Sequence, residues 1–281
     1  MDTIEVMTED NTSDWSERLT KMADLPPPQS RRSRGPSPFS YKNLPVIVSH
    51  DPWDAFETVT LDDTHLRKNR ILNGDQNHPA QAAFDVLRTK LLRTLKEQGW
   101  NRVAITSPTD GCGKTFVSVN LALSLARREN SRTVLMDMDL RNPGIANVLG
   151  VPAHNRMRHY LDGKMREHEF LRKIGQNLIV GLNSKPESNA AELLQRNTTR
   201  ETLEIMGHEL EPDVILYDLP AVLKHDDVLS FLPQVDGVLL VIGGGKTKAA
   251  DIRKTEKILG DQAPLLGVIL NQDESISSRL F

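Results

Sequence analysis

The run "TSPTDGCGKT", Thr106 to Thr115, decides how the rest of the chain is read. It follows a short apolar run, Val103, Ala104 and Ile105, and opens a helix-patterned segment that continues through Arg127. Strand, glycine-bearing loop and helix in that order hold a phosphate group. Backbone N–H groups of Asp110, Gly111, Cys112, Gly113, Lys114 and Thr115 can curl round an anion. The first turn of the helix, with Phe116, adds unpaired amides and the positive end of its dipole. Gly111 and Gly113 let the backbone approach phosphates without a Cβ in the way. Lys114 is then expected to reach the β- and γ-phosphates, and the Thr115 hydroxyl to ligate Mg²⁺. The usual spacing G-x-x-x-x-G-K-[ST] asks for glycine at position 108, where this chain has Pro108. The loop is a variant and needs support from elsewhere.

Two acidic sites supply it, each at the end of a β-patterned run. "TVLMDMDLRNP" (Thr133 to Pro143) carries Asp137 and Asp139, which alternate along an extended chain. "DVILYDLP" (Asp213 to Pro220) ends in Asp218, in the form of a metal-side aspartate. Parallel strands share one carboxyl edge, where ligands sit, so three carboxylates are expected to converge on the loop and hold Mg²⁺ or take a proton. An aspartate at a strand end also serves simply to cap a turn. A second glycine run, "GGGKT" at Gly243 to Thr247, follows the strand "GVLLVI" (Gly237 to Ile242) but has no acidic strand of its own. It reads as a strand-to-helix turn near the nucleotide.

With 281 residues and a net charge of −3, the chain accommodates one α/β domain plus an appendage, and is not a general nucleic-acid binder. The single cysteine, Cys112, rules out an internal disulfide, and its side chain is expected to point away from the ligand. No run of eighteen apolar residues occurs, and the acidic N-terminus lacks the basic and apolar regions of a signal peptide, so a cytoplasmic protein is expected.

Residues 1–75 read as an N-terminal extension, largely disordered or docking on a partner, before a nucleotide-binding domain over 76–281. Met1 to Asp24 is polar and acidic, Pro26 to Pro28 break any helix, and "RRSRGPSP" (Arg31 to Pro38) is basic, so Met1 to Lys42 reads as disordered. "LPVIVS" (Leu44 to Ser49), Trp53 and Phe56 are apolar enough to dock, either on this domain or on another protein. From Pro79 to Gln98, Ala83, Phe84, Leu87, Leu91, Leu92 and Leu95 fall at helical spacing. Strands are expected at 103–106, 133–137, 177–181, 213–218, 236–242 and 266–270, and helices at 114–128, 188–208, 225–232 and 247–260. That alternation predicts a doubly wound, mostly parallel α/β sheet.

The loop, "VLMDMDLRNP", "NAAELLQ" (Asn189 to Gln195), "YDLPAVLKHDD" and "VDGVLLVI" together resemble bacterial tyrosine kinases of the polysaccharide-biosynthesis type. These are cytoplasmic P-loop domains related to the MinD/ParA ATPases, and the resemblance covers about residues 65 to 275. It implies a P-loop NTPase fold, ATP and Mg²⁺ as cofactors, and regulation of capsule or exopolysaccharide assembly beside a separate membrane-embedded co-polymerase or export protein. It also implies homo-oligomers and recruitment to the inner face of the membrane. Carried over residue by residue, Lys114 and Thr115 hold phosphates and Mg²⁺, Asp139 and Asp218 form the metal shell, Asp137 is the base, and Asn271 in "VILNQ" sits beside the adenine.

The chain also departs from that family. No tyrosine lies in its tail, since Tyr41, Tyr160 and Tyr217 are the only three, so tail autophosphorylation lacks an obvious substrate. The family's ring-forming Glu-x-x-Arg-x-x-Arg is Ala82, Asp85 and Arg88 here, which puts ring assembly through this helix in doubt. Where MinD/ParA relatives carry a lysine early in the loop, this chain has Thr109, and "SISSRLF" (Ser275 to Phe281) is too short for a membrane-targeting helix. Three activities follow: an ATP-dependent kinase or hydrolase in exopolysaccharide regulation, a MinD/ParA-like positioning ATPase, or a non-catalytic nucleotide-binding gate.

Overall fold

The computed structural model describes residues 5–6, 51–72, 74, 78–129, 131–260 and 262–272. The disorder expected for Met1 to Lys42, the "LPVIVS" run and the tail beyond residue 272 lie outside the described residues, save the Glu5–Val6 pair. The strands are β1 (Glu5–Val6), β2 (Arg102–Ser107), β3 (Thr133–Asp137), β4 (Arg172–Ile174), β5 (Leu178–Gly181), β6 (Val214–Ala221), β7 (Gly237–Gly243) and β8 (Leu265–Asn271). The helices are α1 (Asp63–Lys68), α2 (Pro79–Gln98), α3 (Lys114–Ala126), α4 (Ile145–Leu149), α5 (Met157–Leu161), α6 (Glu167–Phe170), α7 (Ala190–Leu194), α8 (Asn197–Leu210), α9 (Asp227–Phe231) and α10 (Ala249–Leu259). They build one sheet in the order β1-β8-β7-β2-β6-β3-β5-β4. All pairings from β8 to β5 are parallel, while β1 on β8 and β4 on β5 are antiparallel.

Helices cover both faces, which is why the central strands are continuous apolar runs rather than alternating ones. Along β6, Ile215, Tyr217 and Leu219 enter one core with Met136, Phe231 and Leu240. Val214 and Leu216 enter the other, with Val103, Phe84, Leu87, Leu121 and Leu125. Helix α3 is buried on nearly every side because it lies between the sheet and α2. Helix α2 starts on Pro79, with the His78 side chain accepting from Ala80 N at 3.3 Å, and ends at Gly99 in the left-handed region, φ 69°.

Residues 51–72 correct the expected boundary at 75/76. Trp53 and Phe56 are buried in the first core, and Leu66, Ile71 and Leu72 in the second. Between them the chain passes the outer edge of β4, where Val59 N donates to Lys173 O at 2.8 Å and Lys173 N to Glu57 O at 2.9 Å. The open choice for Trp53 and Phe56 is thereby decided: both dock on this domain. With β1 on the opposite side of the sheet, both sheet edges are covered by the chain's own N-terminal part. The single helix expected over 188–208 is two, α7 and α8, with the break at Gln195 and Arg196. Strand β4 and helices α1, α4, α5 and α6 were not expected, being too short to show a period.

Candidate functional site

Strand β6 lies between β2 and β3, so the loop after β2 and the ends of β3 and β6 meet on one edge of the sheet. Asp137 and Asp218 are register partners on adjacent strands. Gly111 has φ 78° and Gly113 φ 85°, conformations that favour glycine. At Gly113 the space is closed as well, because a Cβ would meet Asn271 Nδ2 at 2.1 Å. That Asn271 amide donates to Cys112 O at 2.9 Å and braces the loop from behind, while its Oδ1 is buried without a partner. The loop's start is braced from β6: Val222 N donates to Ser107 O at 2.9 Å and Leu223 N to Pro108 O at 3.2 Å. Pro108 thus serves the variant loop through its carbonyl.

Thr115 Oγ1 donates to Asp218 Oδ2 at 2.6 Å, and Ser118 Oγ to Asp218 Oδ1 at 3.0 Å. Burial outweighs these bonds and the Lys114 charge, pushing the Asp218 carboxyl up to about 6. Asp137 is fully buried. Its Oδ2 accepts from Gly144 N and Ile145 N, both at 3.0 Å, and its Oδ1 has no partner. Burial, then the Asp218 charge, hold its carboxyl well above the usual range. Asp139, 6% exposed, is also raised by burial, against the opposing charge of Lys114. Lys114 itself is 8% exposed, at the first turn of α3.

Asp137 and Asp218 are neighbours across β3 and β6, and Asp139 lies two residues beyond Asp137 at the same end of the sheet. Among the described residues no three His, Cys, Asp or Glu side chains stand close enough to hold a metal ion by themselves. All three spend bonds within the protein, Asp218 on α3, Asp137 on the start of α4 and Asp139 on the backbone of Asn142 at 3.1 Å. The ring of Phe116 packs on Phe84 of α2, centroids 6.1 Å apart, so only the backbone of Phe116 remains for a phosphate. Cys112 is buried, with Sγ donating to Thr109 O at 3.2 Å and lying 3.4 Å from Thr247 Oγ1. The second glycine run therefore packs directly on the phosphate loop through Thr247, as a turn between β7 and α10. Sequence reasoning missed Lys224, whose Nζ reaches Asp110 Oδ2 at 2.5 Å, and Arg141, which grips Asp227 at 2.7 and 2.9 Å. Only their places in the quoted stretches "YDLPAVLKHDD" and "VLMDMDLRNP" pointed there.

A family model for ParA, described as the NUBPL iron-transfer P-loop NTPase, matches residues 100–279. The chain belongs to this P-loop NTPase family. Within it, the chain is 29% identical over 226 residues to the tyrosine-protein kinase etk of Escherichia coli strain K12, covering 74% of this chain and 31% of that protein. It is 27% identical over 218 residues to the tyrosine-protein kinase YwqD of Bacillus subtilis strain 168, covering 73% and 90%. The kinase domain of Escherichia coli tyrosine kinase ETK superposes with a TM-score of 0.65 at 27% identity, covering 71% of this ParA-family chain and 78% of that one. The matched part thus spans about a third of the etk protein's length but most of YwqD. Among the described residues no helix is long and apolar enough to cross a membrane.

Proposed function

We propose that this ParA-family chain binds Mg·ATP at the Asp110–Phe116 loop and uses it for phosphoryl transfer or hydrolysis in the control of exopolysaccharide or capsule assembly. The observation that carries the reading is the 2.6 Å contact between Thr115 Oγ1 and Asp218 Oδ2, which joins the phosphate loop to the acidic strand end. The donor set fits Mg²⁺: hard oxygens of Thr115, Asp139 and Asp218, with the orphaned, buried Asp137 Oδ1 beside them. Too few carboxylates to enclose a cation is also what Mg²⁺ asks for, since it keeps water and nucleotide oxygens in its shell. When bound, the ion would offset charge on the phosphate oxygens. Lys114 neutralises the same oxygens from the start of α3, and the loop amides fix the phosphates in line. Asp137 orients the acceptor hydroxyl or water and takes its proton at Oδ1, the oxygen of this carboxylate that the protein leaves without a partner. Asn271, by bracing Gly113, keeps the adenine side of the loop in shape.

The acceptor separates the readings. Tyr160 and Tyr217 are fully buried, their hydroxyls without partners, and so closed to any kinase in the folded chain. The remaining tyrosine of the sequence, Tyr41, lies outside the described residues and is the one proposed for autophosphorylation. A hydroxyl on another protein, or water, is the alternative acceptor. The same burial supports the second reading, a nucleotide-driven switch or gate acting on a membrane-embedded polysaccharide export protein. The test is incubation with Mg²⁺ and γ-labelled ATP, following free phosphate and label on protein. Lys114→Met should keep the fold by circular dichroism and abolish turnover; unchanged turnover would remove the phosphate-loop argument. Label on Tyr41, lost in Tyr41→Phe, establishes the kinase; free phosphate without label favours the switch.

A further inference from the structure

We propose that Lys224 is a second cation of the nucleotide site, one that leaves Asp110 for the terminal phosphate of a bound nucleoside triphosphate and so distinguishes triphosphate from diphosphate. The inference rests on the nucleotide reading above. Its base is fixed: the two backbone bonds from Val222 to Ser107 O and from Leu223 to Pro108 O hold the chain just before Lys224 against the start of the phosphate loop. The turn is closed by Lys224 N donating to Ala221 O at 3.2 Å. Its head is not fixed in the same way. Lys224 Nζ and Asp110 Oδ2 are 2.5 Å apart, but the two side chains are 43% and 53% exposed. An ion pair that open to water is weak and easily exchanged, and the four-carbon stem of lysine lets the ammonium swing about a fixed Cα.

The charges around it favour such a transfer. Asp110, Asp137, Asp139 and Asp218 surround the loop, and Lys114, buried at the start of α3, already acts on Asp139 and Asp218. The ion pair with Asp110, a residue of the phosphate loop itself, keeps the Lys224 ammonium beside that loop. A phosphate oxygen is a stronger partner for an ammonium than a hydrated carboxylate at the surface. A diphosphate ends short of the terminal position and gives Lys224 no reason to release Asp110. The pair thus balances the charge of Asp110 until a triphosphate takes its cation.

The test is calorimetric titration of the full chain, in Mg²⁺, with a non-hydrolysable ATP analogue and with ADP. Lys224→Met should weaken the triphosphate about tenfold, equivalent to about 1.4 kcal/mol, and leave ADP within about twofold. Lys224→Arg should restore most of the preference, since it keeps a cation on a long stem. Equal weakening of both nucleotides would reduce Lys224 to shaping the loop and overturn the inference, as would no change in either. Lys114→Met serves as the reference and should lose both nucleotides. If the natural chain binds neither, the nucleotide reading itself fails, and this inference with it.

Discussion

Asp218 is the residue on which the local chemistry turns. Its carboxyl, normally near 3.8, is pushed up to about 6, chiefly by burial, so the folded chain binds this proton more tightly than the unfolded chain does. The stability it contributes is complete below about pH 3.8 and is lost as pH rises through about 6. At pH 7.5 without metal the charged form therefore burdens the fold by about 3 kcal/mol at most. Asp218→Asn should melt higher than the natural chain in metal-free buffer at pH 7.5, with the difference closing toward pH 4. It should also lose any gain from Mg²⁺ with nucleotide. Identical melting curves at pH 7.5 would show that the buried carboxylate carries no such burden. In the natural chain, Mg²⁺-dependent nucleotide affinity should fall as pH drops through about 6, because a cation needs the ionised form. The identities of Lys114, Thr115 and Asp218 were legible because each sits in a short local pattern. The bracing of Gly113 by Asn271 and the Lys224–Asp110 pair were not, since each joins residues more than a hundred positions apart.

Among the elements, the contact of α2 with α3 shows how a family pattern can be reassigned. Asp85, at the middle position of that pattern, is partly exposed and makes its bonds within this one chain. Its Oδ1 accepts from Arg88 at 3.0 Å, Arg127 at 2.5 Å, Ser124 at 3.0 Å and Gln81 at 3.2 Å, and so ties α2 to α3 within one chain. Because Asp85 is 39% exposed, solvent weakens each bond, and Asp85→Ala should cost about 1–2 kcal/mol. Urea unfolding that leaves the midpoint unmoved would show the cluster to be a solvated surface feature. The strands β2, β3, β5, β6, β7 and β8 were readable as apolar runs, and α2 from its spacing. Helices of five residues present little more than one turn, too little for a periodic pattern, and their positions depend on what packs against them.

For the molecule as a whole, the segment 51–72 is part of the folded body. Trp53 is 1% exposed, its Nε1 donates to Leu210 O at 2.9 Å, and the Arg132 guanidinium lies 5.6 Å above its ring. Trp53→Ala should cost about 3–5 kcal/mol. A chain starting at residue 76 should unfold at lower denaturant than one starting at 51; equal midpoints would return this segment to the role of a loose appendage. Composition marked these residues as different from the rest, and that difference was read as independence. Docking could not be seen locally, because the apolar side chains of Trp53 and Leu66 find their partners on opposite faces of the sheet.

That seat sets an order of events during synthesis. The carbonyl that receives Trp53 belongs to a residue 157 positions later in the chain, and β4, along whose edge the segment passes, also emerges well after it. An N-terminus made first must therefore wait, with its apolar side chains unburied, until the sheet and α8 have formed. Closure of the segment over the sheet edge is a late step, and a ribosome paused before Leu210 would hold a nascent chain whose phosphate loop is already present while its outer strap is still open.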